Sequence, residues 1–371
     1  LDSKTIHIIS FTVPFPANYG GAIDIFYKIK SFHKAGISII LHCFLYDRNE
    51  APQLLKYCKE VHYYKRKMSP LLLLSRKPFI VASRNSQELV DRISKDDHPI
   101  LLEGVHSCNI VDNPQLTGRK FIIRNHNIEH DYYRILGSVE KNLFKKWYFQ
   151  MESRKLRSYE KKTFPKASEI LGISKQDTDY LKANYNKGLH VSAFHQFKQQ
   201  KLSAVNEAFA FYHGNLAVSE NNLAALFLVN KVFSRTNYPL IIAGNSPSKE
   251  LIELCESKGN VTIKANIDSQ EITSLLESAH MNVLPTFQNS GIKLKLLAAL
   301  FAGKHCLVNR PMVKGTGLEK LCVVNEDAES FANSVDSISK VPFTKHQFDE
   351  RTELLTNFKN DFGVALFQEL I

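Results

Sequence analysis

Short apolar runs that read as β-strands alternate with helical patterns along this chain, and the whole alternation occurs twice. In the first half the strand-like runs are residues 5–10, 38–44, 60–64, 99–103, 120–124 and 169–172, with helical patterns clearest at 21–35, 86–94 and 139–162. In the second half the strands fall at 208–212, 239–243, 260–264, 280–284 and 305–308, with helices at 220–233, 248–258, 269–278 and 291–302. Strands separated by helices of this length imply parallel sheets of βαβ units. Two such series predict an α/β protein of two doubly wound, Rossmann-like domains, each binding its ligand beyond the carboxyl ends of its strands. A polar stretch with weak periodicity at 187–207, containing Gln196, Lys198, Gln199, Gln200 and Lys201, reads as the join. The expected domains are therefore 1–188 and 206–345, and the final segment 346–371 is expected as a helix that returns to the first domain.

The stretch around residues 281–303 says most about chemistry. An apolar strand ends at Leu284, a loop runs from Pro285 to Gln288, and Asn289, Ser290, Gly291, Ile292 and Lys293 then open a helix. Gly291 permits close backbone approach to a ligand. The first-turn amides behind it are unsatisfied donors at the positive end of the helix dipole, a geometry that binds anions. Lys293 and Lys295 add two cations there. A cation at a helix start opposes the dipole by about 0.3–1 kcal/mol, so the position is unfavourable unless an anion joins it. Phosphate is expected, in the form of the diphosphate of a nucleotide sugar.

Composition narrows the remaining classes. No apolar run reaches the roughly 18 residues that span a bilayer. The six cysteines show no metal-ligand or C-x-x-C spacing and several, such as Cys43 and Cys306, sit in strand-like runs, as buried thiols of a reducing compartment do. No leader-like segment is evident, and a cytoplasmic location is expected. The net charge of +11 suits anionic partners. Its basic residues form no stripe with interleaved aromatics, so nucleic acid is not expected. The densest cluster, Lys65-Arg66-Lys67 followed by a leucine run and Arg76-Lys77, fits either a solvated basic segment beside the core or a peripheral contact with the inner face of an anionic membrane. No acid-rich metal motif is present; Asp96-Asp97 reads as a solvated loop.

Several segments taken in order resemble the retaining glycosyltransferases of family 4, which have the GT-B fold of two domains facing across a cleft. Pro14-Phe15-Pro16-Ala17-Asn18-Tyr19-Gly20-Gly21 resembles that family's glycine-rich loop, and Arg124-Asn125-His126-Asn127-Ile128-Glu129 its segment after a central strand. Phe211 to Leu216, Ile241 to Asn245, Asn260 to Leu275, Pro285 to Gly303 and Gly315-Thr316-Gly317-Leu318 resemble successive parts of its nucleotide-sugar domain. Two departures stand out. Where the family often carries two glutamates on the donor helix, this chain has Ser290 and Ala298; where it has an Arg and a Lys after the first strand of that domain, this chain has Asn215, Asn221 and Asn222. Lys293 and Lys295 are expected to neutralise the phosphates instead.

The resemblance implies a glycosyltransferase that moves a sugar, with retention, from a UDP- or GDP-sugar to a hydroxyl of a glycan or lipid-linked acceptor in surface polysaccharide or glycoconjugate synthesis, with no metal and no other cofactor. It implies donor contacts from Gly20, Gly21, Gly214, Asn215, Gly244, Asn245 and the segment Asn289, Ser290, Gly291, Ile292, Lys293 and Lys295. It places His126 against the transferred sugar, with Asn127 and Glu129 on the acceptor side. Glu103 and His106 end another strand, so both are acid–base candidates facing the ligand edge. Glu103 reads equally as a structural carboxylate, and Glu129 as a helix-start partner. Two rivals stay open: a nucleotide-sugar epimerase on the same fold using Glu103, His106 and His126, and a non-catalytic sugar-nucleotide or partner-binding subunit.

Overall fold

A computed structural model describes residues 4–198, 207–287 and 293–371. The chain divides into two compact units, 1–195 with 357–371, and 196–356.

Unit 1 is built on seven strands: β1 (Thr5–Ser10), β2 (Ser38–Leu45), β3 (Glu60–Lys65), β4 (Ile100–Glu103), β5 (Phe121–Asn125), β6 (Glu169–Gly172) and β7 (Leu189–His190). They pair in parallel in the order β3-β2-β1-β4-β5-β6-β7. The order reverses between β1 and β4, the crevice where doubly wound sheets hold ligands. The central strands are buried throughout, which explains why they read as continuous apolar runs. One face of the sheet packs on Ile25, Ile29 and Phe32 of helix Gly20–Lys34, together with Phe194 and Phe367. The other face buries Leu156, Tyr159, Phe164 and Leu181.

Unit 2 contains β8 (Glu207–His213), β9 (Leu240–Gly244), β10 (Val261–Ala265), β11 (Ala279–Leu284), β12 (His305–Asn309) and β13 (Val323–Asn325). Its parallel order, β10-β9-β8-β11-β12-β13, reverses between β8 and β11. Two doubly wound sheets are present, as the alternation predicts.

Three segments differ from the sequence reading. The long helix expected at 139–162 starts later, at Leu143, and runs to Thr163, because the Asn142 side chain accepts from the amides of Phe144 and Lys145 and caps it there, and a separate helix, Glu129–Val139, precedes it. The stretch read as linker begins with structure: β7 pairs with β6, and Val191 and Phe194 are buried in unit 1. The segment 346–371 is not one returning helix. Helix Lys345–Leu354 belongs to unit 2, where buried Arg351 donates to the carbonyls of Gly303 and Lys304. Only helix Asn360–Leu370 packs on unit 1, with Phe367 edge-on to Phe32 at 4.9 Å.

Candidate functional site

In unit 1 the charged candidates meet at the carboxyl ends of β4 and β5, beside helix Gly20–Lys34. Asp24 and Lys28, one turn apart on that helix, are fully buried and pair at 3.1 Å. Lys28 finds a second carboxylate in Glu103, the last residue of β4, at 2.6 Å. Arg124 of β5 lies 3.1 Å from Asp24 and donates to the carbonyls of Val191 and Ser192. Two buried cations therefore balance two buried anions. Burial opposes both carboxylates, but Arg124 and Lys28 outweigh it at Asp24, and Lys28 with the His126 hydrogen bond outweighs it at Glu103; both sit below the usual carboxylate range.

His126 completes the network. Its Nε2 lies 2.8 Å from Glu103 Oε2, while Nδ1 is buried with no hydrogen-bond partner among the described residues. With Nε2–H donating to the carboxylate, Nδ1 is the face offered to a ligand. Phe11, just past β1, meets the His126 ring edge-on at 5.6 Å and packs against His106 at 5.0 Å. Burial first, then Arg84 and His126, hold the His106 pKa well below that of free histidine, so it is neutral. The structure thus brings Glu103, His106 and His126 together, with different roles: Glu103 is locked inside by Lys28, and the histidines lie outside it. Asp24, Glu103 and His126 also place three ligand atoms within 4.8 Å of one another. Lys28 and Arg124 already engage both carboxylates, so a metal would have to displace two buried cations, and the donor set is that of an ion-pair network.

Gly20 and Gly21 open the helix that carries Asp24. A Cβ on Gly21 would lie 3.0 Å from the Phe11 ring and 3.3 Å from Tyr19, so glycine lets the helix start pack closely against these aromatics. Glu129 begins the helix after β5 and accepts from Asn127 at 3.4 Å. Burial, and then Glu160, push it up to about 8, which leaves it protonated at neutral pH.

In unit 2, helix Leu294–Ala302 follows β11. Lys293 stands at its N-cap and Lys295 in its first turn. Lys295 Nζ donates to Asn221 Oδ1 at 2.6 Å and lies over the Tyr212 ring at 5.2 Å. Both partners are neutral, and no described carboxylate pairs with it. Burial, then Lys293, push Lys295 down to about 8, and burial alone brings Lys293 to about 8. Asn289, Ser290, Gly291 and Ile292 lie outside the described residues. Ala298, at the second glutamate position of the family resemblance, is fully buried. Gly214 and Asn215 follow β8, and Asn215 Oδ1 accepts from the Ala217 amide. A Cβ on Gly244 would lie 2.0 Å from the Gly214 carbonyl oxygen, so this glycine lets two strand ends approach. Asn245 is exposed beside it.

No protein-family model matches the chain. An uncharacterised 44.6 kDa protein in a cps region of Klebsiella pneumoniae is 25% identical over 360 residues, which is 90% of this chain and 91% of that protein. Among solved structures, a glycosyltransferase from Rickettsia africae superposes with a TM-score of 0.67 at 13% identity, covering 100% of this chain and 98% of its own. The lipopolysaccharide outer core galactosyltransferase WaaB gives 0.63 at 14%, with 98% and 99% covered. A UDP-forming trehalose-phosphate synthase from Burkholderia xenovorans, in complex with glucose 6-phosphate, gives 0.63 at 8%, with 99% and 100% covered. The fold is GT-B.

Within this GT-B chain, Asp24, Lys28, Arg124, Tyr212 and Asn221 carry site geometry that was not assigned from sequence. One signal was available: an Asp and a Lys at i, i+4 on the same helix face as Ile25, Ile29 and Phe32. Unit 1 also exposes an apolar surface. Leu71 and Leu74 of the turn Pro70–Leu74, and Leu143, Phe144 and Trp147 at the start of helix Leu143–Thr163, are each at least 64% exposed. Lys155 Nζ, further along the same helix, donates to the Leu73 carbonyl. Lys65, Lys67, Arg76, Lys141 and Lys145, close to these segments in sequence, are exposed. Among the described residues, no helix is long and apolar enough to cross a membrane.

Proposed function

We propose that this protein is a retaining glycosyltransferase that uses a UDP- or GDP-sugar and glycosylates a glycan or lipid-linked acceptor in polysaccharide synthesis. The observation that carries the reading is Lys295. A half-buried ammonium held, among the described residues, by Asn221 and Tyr212, beside a second lysine at a helix start, is a cationic site that suits an anion. The GT-B fold supports a nucleoside diphosphate as that anion, and the relative's cps region supports a polysaccharide context.

The departing diphosphate needs its charge stabilised more than it needs a strong base. Lys295 and Lys293 supply that charge, so no divalent metal is required. In unit 1, His126 offers Nδ1 to the transferred sugar, and Glu103 fixes the ring through Nε2. Glu103 is a positioning residue in this scheme. Its commitment to Lys28 also weakens the epimerase reading, which needs a carboxylate free to move protons. The exposed leucines, Phe144 and Trp147, with exposed cations near them in sequence, support a lipid-linked acceptor met at an anionic membrane surface.

Incubation with radiolabelled UDP- and GDP-sugars separates the readings. Transfer to membrane lipid or glycan, or slow release of free sugar with the nucleoside diphosphate, is expected. Formation of an epimer, or no turnover of any donor that binds, would contradict the proposal.

A further inference from the structure

Unit 1 holds a second cluster, three arginines and a neutral histidine, that the proposed chemistry leaves unused. Arg66 directly follows β3, and Arg84 follows the short helix Phe79–Ala82. His106 lies in the turn after β4, and Arg48 lies just past β2. All four stand near the carboxyl ends of neighbouring parallel strands, the ligand edge of such a sheet.

Arg84 is only 5% exposed. Its Nε donates to the Phe11 carbonyl at 3.0 Å and its Nη1 to the Ile80 carbonyl at 2.6 Å. Arg66 donates to Ser83 Oγ at 2.9 Å and stacks over the rings of Tyr46 and Phe79. Neither guanidinium has a described carboxylate within ion-pair distance, in contrast to the balanced network around Asp24. The acids that face them are Asp47, which is exposed, and Glu129, which burial keeps protonated at neutral pH. His106, whose Nδ1 is buried without a partner, lies within the field of both arginines. A buried cation that neutral carbonyls alone satisfy is costly, and a second cation beside it adds to that cost. An anion that entered here would relieve both, and paired guanidinium forks match phosphate oxygens.

We infer that Arg66 and Arg84, with His106 beside them, form a phosphate subsite for the acceptor, so that the acceptor is a phosphate ester or diphosphate of a saccharide. This rests on the glycosyltransferase reading, in which unit 1 serves the acceptor. The same chemistry fits a soluble sugar phosphate and a lipid-linked diphosphate.

Calorimetric titration of the full chain tests it, with inorganic pyrophosphate and farnesyl diphosphate as probes and the donor site filled by saturating UDP or GDP. Both probes should bind the parent. Arg66→Gln and Arg84→Gln should each weaken them at least tenfold and leave nucleotide affinity within twofold. Arg84 also holds two backbone carbonyls, so Arg66→Gln with an unchanged melting temperature is the decisive variant. Tighter binding of farnesyl diphosphate than of pyrophosphate assigns a lipid-linked acceptor; equal binding assigns a soluble one. Probe affinity that is indifferent to both substitutions, or absent once nucleotide is bound, overturns the subsite. A protein that binds pyrophosphate through Arg66 but binds no nucleotide would instead remove the transferase reading and keep the subsite.

Discussion

Glu103 Oε2 and His126 Nε2 lie 2.8 Å apart at the ends of adjacent parallel strands, with Glu103 Oε1 held 2.6 Å from buried Lys28. The carboxylate therefore serves the fold and the site together. Glu103→Gln should strip Lys28 of one of its two counter-charges and destabilise unit 1 by about 3–5 kcal/mol, the usual cost of breaking a buried pair. For a unit of this size that is roughly a 10 °C fall in Tm. His126→Ala, which removes one buried hydrogen bond and leaves the Lys28 pair intact, should lower Tm less than Glu103→Gln does and abolish turnover. Calorimetric melts of both variants check this; equal, small shifts would mean that the network is not holding Lys28.

Glu129 gives a pH signature. Its pKa is about 8 when folded and near the ordinary 4.5 when unfolded. The folded state thus binds the extra proton between those values, so the contribution is fully present below about pH 4.5 and lost as pH rises through 8. Glu129→Gln, neutral throughout, should raise Tm by several degrees at pH 8.5 and change it little at pH 5. A gain of the same size at both pH values would show that the carboxyl ionises normally.

How much was legible in the sequence depends on what each feature rests on. The apolar runs gave the central strands because strands buried on both faces must be continuously apolar. The strands β7 and β13 were missed, since elements of two and three residues carry no periodicity. His126 was named from the family resemblance, Glu103 from a strand end and the two lysines from a helix start. Their partners were not, because Asp24, Lys28 and Arg124 meet only after a helix and two strands have packed, and Asn221 meets Lys295 across 74 residues of chain. Gly244 was read as a ligand residue. The structure gives it a packing reason, a strand end too close to the Gly214 carbonyl for any side chain.

Exposed apolar residues make the membrane contact testable. Leu74→Glu with Trp147→Glu should abolish co-sedimentation with vesicles of anionic phospholipid and leave the melting temperature within about 1 °C, as exposed positions allow. Vesicles of purely zwitterionic lipid should bind the parent weakly, because each surface lysine adds about 1 kcal/mol only against negative charge. Unchanged sedimentation of the double variant would assign the patch another partner.

In the proposed scheme lysines neutralise the diphosphate, so donor turnover in excess chelator should equal turnover with magnesium or manganese. Complete loss on chelation, restored by one metal, would require a different source of charge.

The proposed phosphate site of unit 2 is tested most directly by titrating UDP and GDP into the parent and Lys295→Ala between pH 7 and 10. Burial, then Lys293, hold Lys295 near 8 in the free protein. A bound diphosphate favours the charged ammonium, so binding should take up a proton above that pH and weaken by up to about tenfold per unit. At pH 7, Lys295→Ala should lose roughly ten- to hundredfold in affinity, the equivalent of a charge-assisted contact of about 1.5–3 kcal/mol. Above pH 8 the difference from the parent should shrink. A variant that binds the nucleotide as tightly as the parent at pH 7 would contradict a phosphate held by Lys295, and with it the proposed donor site.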